Sequence, residues 1–306
     1  MKVRRPEPAD LDAVVAVLRA ADANVAGDSD WTVSDLAENW ARLDPDRDAW
    51  IVELDGRIVG YADFDARGGR FLGDGYVHPD FRRRGVGREL LRLTEARAQL
   101  EVGRVPVGER VYLQNATVDL DGCTERFYRE RGYEPVRGFR GMVIELDREP
   151  EVPAIAGIEV RPYRHPDEGH AFHAAHQESF ADHWEFRPSP WEEWQEKRFG
   201  RQTFDPTLWW VAADENEIAG VLFGEIKRDP DQGWVDVLGV RPAYRRRGIG
   251  EALLKTAFAE FFRRGERKVG LGVDAESPTG ATRVYERAGM RALYHAVVYE
   301  KELRPA

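Results

Sequence analysis

Residues 77–87 read VHPDFRRRGVG and residues 240–250 read VRPAYRRRGIG, identical at seven of eleven positions, with Phe81/Tyr244 and Val86/Ile249 as close exchanges. An internal repeat constrains a fold more than composition can, because each copy must bury its own core in the same way. Val77 and Val240 stand 163 residues apart. Upstream, Trp50-Ile51-Val52 followed by Ile58-Val59-Gly60 is answered 160 residues later by Trp210-Val211-Ala212 and Ile218-Ala219-Gly220. Downstream, Tyr128 to Tyr133 matches Tyr285 to Met290 at a spacing of 157, and Arg5-Pro6 matches Arg161-Pro162 at 156. Four landmarks in one order define a unit of about 150 residues used twice, the size of an ordinary domain. The stretch DREPEVPAIAG, residues 147–157, breaks periodicity with two prolines and a glycine and marks the seam. Two domains are expected, residues 1–150 and 151–306.

Each unit reads as mixed α/β, a sheet flanked by helices. In the second, Ile158–Arg161 is a short strand and a pair of helices follows through Trp194. Leu208–Ala213 and Glu217–Lys227 are β-rich segments around a polar turn, and Trp234–Val240 is a strand. A helix then carries Ile249, Leu253, Leu254, Ala257, Phe258, Phe261 and Phe262 on one face, with Gly265 as its terminator. A strand Val269–Val273, a helix Thr279–Ala288 and a strand Tyr294–Glu300 complete it. The first unit repeats the order with strands near Val77, at Val111–Gln114 and at Met142–Leu146, and helices over Gly87–Leu100 and Thr124–Arg131.

The 45 Lys and Arg against 55 Asp and Glu leave a net charge of −10, which repels a polyanion over most of the surface and disfavours nucleic-acid binding. Hydrophobic residues make up 42% of the chain and charged ones 33%, with no apolar run of bilayer length, so no membrane association is expected. The basic start leads into no signal-like apolar segment, and a cytoplasmic location is the default. The lone Cys123 excludes a disulfide framework, and the seven His show no zinc-like spacing, so no metal is expected.

A glycine-rich turn between a strand and a helix offers backbone N–H groups to an anion at the positive helix terminus. Gly248 and Gly250 let that backbone approach a phosphate, with Ile249 between them and Arg245, Arg246 and Arg247 adding charge. The matching set is Arg82, Arg83, Arg84, Gly85, Val86 and Gly87. Neither a P-loop nor a dinucleotide fingerprint is present.

The order strand, V-x-P, R-x-x-G-x-G, helix resembles the acetyl-CoA-binding motif of the GNAT acyltransferase superfamily, and the rest of each repeat fits that family over nearly the whole chain. The tandem layout is similar to its two-domain, mycothiol synthase-like branch. The resemblance implies that the loop amides hold the pyrophosphate of acetyl-CoA, the cosubstrate, and that Ser277 stands where the family commonly has Asn. It also implies that the strand before the motif splays from its neighbour and frees an amide for the acyl oxygen. That amide would be Val240, with Leu238 along the pantetheine path, and Val77 with Gly75 in the first unit. The acid implied is Tyr285 and, in the first unit, Tyr128. Asp236 is the candidate base. The first-unit equivalents of positions 236 and 234 are Gly73 and Phe71, and Leu120 replaces the family Asn there, so the chemistry is expected in the second unit and the first could be a structural scaffold. Glu178, Asp182, His183, Trp184 and Glu185 stand on the segment that covers the acceptor, where acidic and aromatic groups suit a cationic amine.

The function implied is N-acetyl transfer from acetyl-CoA to a primary amine of a small molecule by direct attack, in a monomer or homodimer. A non-catalytic acyl-CoA-binding or regulatory module is the alternative, and a nucleic-acid binder using the two Arg triplets is a third reading that the charge disfavours.

Overall fold

The computed structural model describes residues 1–26, 29, 31–118, 122–201, 203–215, 217–228, 231–277 and 279–306. The chain forms two compact units, one from residues 1–139 with 294–306 and one from residues 140–293. A contiguous division at 150 is therefore corrected: the last strand belongs to the first unit, and residues 140–150 belong to the second.

The first unit runs β1 (Lys2–Arg4), α1 (Leu11–Ala26), α2 (Val33–Arg42), α3 (Pro45–Asp48), β2 (Ala49–Leu54), β3 (Arg57–Arg67), β4 (Arg70–Val77), α4 (Val86–Val102), β5 (Val111–Val118), α5 (Cys123–Arg129) and the start of β6 (Glu134–Glu145). The second runs β7 (Glu159–Pro162), α6 (Gly169–Phe180), α7 (Trp191–Phe199), β8 (Trp209–Asp214), β9 (Glu217–Arg228), β10 (Asp231–Val240), α8 (Ile249–Arg263), β11 (Lys268–Asp274) and α9 (Ala281–Arg287), and the chain closes with β12 (Arg291–Arg304). The strand order is β1-β2-β3-β4-β5-β12 in the first unit and β6-β11-β10-β9-β8-β7 in the second. Neighbours are antiparallel from β1 to β4 and from β7 to β10, whereas β4 pairs with β5, and β10 with β11, in parallel. The sequence-based helices at 87–100 and near 249–262 are present and slightly longer.

In the second unit, Leu253, Leu254, Ala257, Phe258 and Phe261 of α8 are buried against β8 and β9, as their spacing requires. On the other face of the sheet, Phe172 of α6 and Trp194 of α7 pack with Trp209 and Phe223. Gly239 permits α6 to lie on β10, since a Cβ there would come within 2.8 Å of Ser179 Cβ.

The first unit has one core between its sheet and α4 and another under α1 and α2. The returning strand β12 completes the former: Tyr299 is 2% exposed and stacks on Tyr128 with ring centroids 5.1 Å apart. The latter core holds an exception to apolar burial. Asp63 and Asp74 stand directly opposite each other on β3 and β4. Asp63 is buried and accepts hydrogen bonds from Asn39 Nδ2 and Tyr61 Oη, each 2.8 Å. Burial, and then the facing charge of Asp74, raise its proton affinity from an ordinary 3.8 to about 7.

Truncating Tyr299 to Ala should cost about 3 kcal/mol, as for other large buried aromatics, and should lower the melting of the first unit while sparing the second; an unchanged melt would place β12 outside that core. The buried pair has its own signature. Between about pH 4 and pH 7 the folded chain holds a proton at Asp63 that the unfolded chain has released, so stability declines as pH rises through that window. Asp74→Asn should remove part of the decline, the share that the facing charge adds to burial, seen as a smaller fall in melting temperature between about pH 5 and pH 8; equal falls in both proteins would contradict the coupling.

Candidate active site

Strand β10 carries the site of the second unit. It pairs with β11 through Gly233–Val269, Trp234–Gly270 and Val235–Leu271, then runs on to Val240 paired with β9 alone. A bulge lies between Val235 and Val237 against β9, leaving Asp236 as the extra residue. Beyond it, the Arg241 N–H donates to Ala219 O at 2.9 Å. Alternation of an antiparallel ladder then turns the N–H of Gly239 toward β9 and those of Leu238 and Val240 away from it, into the gap beyond the last parallel pair. The first unit repeats this geometry without the bulge. Strand β4 pairs with β5 only from Arg70 to Leu72, and the His78 N–H donates to Val59 O at 2.9 Å, which directs the N–H groups of Gly75 and Val77 into the corresponding gap.

Each gap opens at the glycine-rich turn. Arg246 and Gly248 have φ of 63° and 84°, and Arg83 and Gly85 have 61° and 86°. Left-handed residues interleaved with right-handed ones turn successive N–H groups into one concavity at the start of α8 and of α4. Gly250 leaves only van der Waals room between strand and helix, since a Cβ there would lie 3.7 Å from Val240 Cγ2 and 3.8 Å from Val284 Cγ1 of α9. Ile249 and Val86 are buried anchors of their helices. The arginines have divided tasks. Arg245 donates to Asp182 at 2.5 and 2.9 Å, to Ser179 O and to Val240 O, tying α6 to the turn. Arg247 lies over the Tyr244 ring and Arg84 over Phe81, while Arg82, Arg83 and Arg246 are exposed. Ser277 closes the turn before α9 with its Oγ 2.9 Å from Thr279 Oγ1; Leu120 lies outside the described residues.

Tyr285 is buried on α9 and burial raises its hydroxyl to about 12, so it keeps its proton at neutral pH. Burial, and next the charge of Asp74, raise Tyr128 as well. Asp236 is bonded to Arg198 of α7, with Arg201 3.4 Å away. Beside it, Glu225 accepts from Thr203 Oγ1 at 2.7 Å and faces Arg201 at 3.3 Å, and burial raises its proton affinity. These groups, with Phe204, Trp209 and Phe223, line a cleft. His176, behind it, accepts a hydrogen bond from Trp194 Nε1 at 3.1 Å and stays neutral, pushed down to about 3 first by burial and then by Arg198. Glu178 pairs with Arg241 at 2.8 Å as Asp182 does with Arg245, so these two acids serve the turn rather than standing open for a cation.

Val240 and Gly250 meet where β10 gives way to α8, with Val284 of α9, the residue before Tyr285, alongside. Spacing along the chain does not reveal Arg198, Glu225, Asp63 or Asp74. The last two were visible only as polar residues inside apolar strands, YADFD and FLGDGYV. Among the described residues no helix is long and apolar enough to cross a membrane, and no group of three His, Cys, Asp or Glu could hold a metal ion.

Family models agree with the repeat: the acetyltransferase (GNAT) family matches residues 169–290 and an acetyltransferase (GNAT) domain matches residues 45–135. A mycothiol acetyltransferase of Geodermatophilus obscurus is 34% identical over 96% of this chain and 94% of its own, and one of Salinispora tropica is 31% identical over 94% and 91%. Among solved structures, a GCN5-related N-acetyltransferase from Sphaerobacter thermophilus superposes with a TM-score of 0.88 at 34% identity, covering 100% of this chain and 96% of that one. A tandem GNAT protein from the clavulanic acid biosynthesis pathway shares the fold, with a TM-score of 0.72 at 19% identity over 100% and 99% of the two chains. The chain belongs to the GNAT family of N-acetyltransferases and carries two of its domains in tandem.

Proposed function

We propose that the protein transfers the acetyl group of acetyl-CoA to a primary amine of a small molecule by direct attack, with the second unit as an active centre. The observation that carries this reading is the open stretch of β10, whose Leu238 and Val240 amides face a gap that begins at an anion-binding turn. The amides of residues 246–250 would hold the pyrophosphate, and Arg246 would add charge from its exposed position. When bound, the thioester supplies an activated acyl carbon. The Val240 N–H then lies on the open strand edge, where a developing oxyanion is stabilised by a donor already in place. Tyr285, kept protonated by burial, donates to the departing thiolate. Asp236, turned out of the ladder by the bulge and oriented by Arg198, takes the ammonium proton through water.

The relatives named mycothiol acetyltransferase, similar over nearly the whole length, support a small-molecule acceptor of that kind. The non-catalytic module is disfavoured, since a purely binding domain has no need of a buried tyrosine beside the gap.

The test isolates the second unit with Gly85→Asp, which puts a carboxylate into the first turn at a left-handed position that Asp tolerates. In that chain Tyr285→Phe should lower kcat about 100-fold with the KM for acetyl-CoA unchanged. Undiminished kcat would remove Tyr285 as the acid.

A further inference from the structure

Two carboxylates of the second unit flank one guanidinium. Asp236 follows directly on Val235, the last residue of β10 that pairs with β11, so it stands where the gap begins. Glu225 lies one strand further in, on β9, directly opposite Trp234. Arg201 spans the two, with Nη2 3.3 Å from Glu225 Oε2 and Nη1 3.4 Å from Asp236 Oδ2. All three line the cleft with Trp209 and Phe223, whose rings stack 4.5 Å apart. Each carboxylate is held by one oxygen alone. Arg198 and Arg201 both meet Asp236 at Oδ2, and Thr203 and Arg201 both meet Glu225 at Oε2. Among the described residues nothing bonds Asp236 Oδ1 or Glu225 Oε1, so each carboxylate keeps one oxygen for a proton. Their surroundings differ. Asp236 is exposed, whereas Glu225 is 5% exposed. A buried carboxylate with one oxygen unsatisfied is costly as an anion and far less so as a neutral acid. Burial accordingly raises the proton affinity of Glu225 against the opposing pull of Arg201 and Thr203.

We propose that Glu225 is the final acceptor of the proton shed by the attacking amine, with Asp236 handing that proton inward across the cleft and Arg201 fixing both carboxylates. The assignment deepens the acetyl-transfer reading and rests on it. In becoming an amide, a primary ammonium loses two protons as the C–N bond forms and the C–S bond breaks with its electron pair on sulfur. One proton passes to Asp236 Oδ1 and through water to Glu225 Oε1, which releases it to solvent when the product leaves. The other restores Tyr285 after that tyrosine has protonated the thiolate. Charge dictates the direction of the transfer. A proton left on Asp236 would strand two guanidinium groups beside a neutral acid, whereas a proton on Glu225 removes a negative charge that burial already disfavours. An acceptor seated at the mouth of the gap covers Asp236, and Glu225 is then the carboxylate on its inner side. The charged groups that face Glu225 are Arg201 and Asp236, Lys227 two residues on along β9, and Arg198 of α7, while His176 of α6 stays neutral. Lys227 is drawn aside over the Trp234 ring, its Nζ 4.7 Å from the centroid.

The experiment uses the full chain with its first turn blocked by Gly85→Asp and follows labelled acetyl from acetyl-CoA onto glucosamine as pH is varied. Glu225→Gln, which keeps an oxygen for the Thr203 hydroxyl, should lower kcat at least about tenfold and flatten the acid limb of its pH profile, with the KM for acetyl-CoA unchanged. Glu225→Asp should recover part of the rate and the limb. Thr203→Val removes a hydrogen bond that favours the charged carboxylate, so it should move the limb to higher pH. A merely structural Glu225 would not shift that limb. A folded Glu225→Gln chain with the kcat and limb of its parent would overturn the proposal while leaving acetyl transfer standing. Should Glu225→Gln fail to fold, an unmoved limb in Thr203→Val would overturn it equally. A silent Gly85→Asp chain beside an active unmodified one would remove the second unit from the chemistry and the proposal with it. Absence of turnover in every chain, the unmodified one included, would strike the acetyl-transfer reading itself.

Discussion

Everything functional in this chain depends on two parallel strands that part after three residue pairs. A parallel ladder normally continues as long as both strands do, because an unpaired backbone amide away from water is costly. Here β10 and β4 each run on without the parallel neighbour, so one edge of each strand keeps donors for a ligand. The glycine-rich turn follows directly, and its left-handed residues gather further N–H groups at a helix start. Strand divergence and turn together make a continuous run of backbone donors that needs few side chains, which is why the two copies differ so widely in side chains yet keep this geometry.

The difference between the copies lies next to the gap. In the second unit a bulge swings Asp236 toward α7, where arginines hold it, and Glu225 sits beside them with its hydroxyl partner. In the first unit the same ladder is regular, and regularity sets two aspartates face to face. One inserted residue therefore separates a carboxylate held by guanidinium groups from a carboxylate held by another carboxylate. These are opposite electrostatic solutions on one scaffold. The facing pair holds its proton to higher pH than an ordinary carboxylate does.

The repeat, the turn, the helices that follow it and the two tyrosines were legible because their signals are local: glycine spacing, apolar periodicity and order along the chain. The acid pair was not. A constant offset of 163 residues maps Asp236 onto Gly73 and passes over Asp74, because a bulge changes which residues face each other without changing the spacing along the strand. The partner of Arg245 was hidden for a related reason: Asp182, to which it donates, stands 63 residues earlier. The return of β12 to the first unit was equally hidden, since nothing in a strand's own residues names its partner.

The central proposal is that each gap, with its glycine-rich turn, binds acetyl-CoA, and calorimetric titration of acetyl-CoA into the intact chain tests it most directly. Two molecules should bind per chain, one lost with Gly85→Asp and the other with Gly248→Asp. A chain that binds none, or that keeps its full stoichiometry when both turns are blocked, would contradict it.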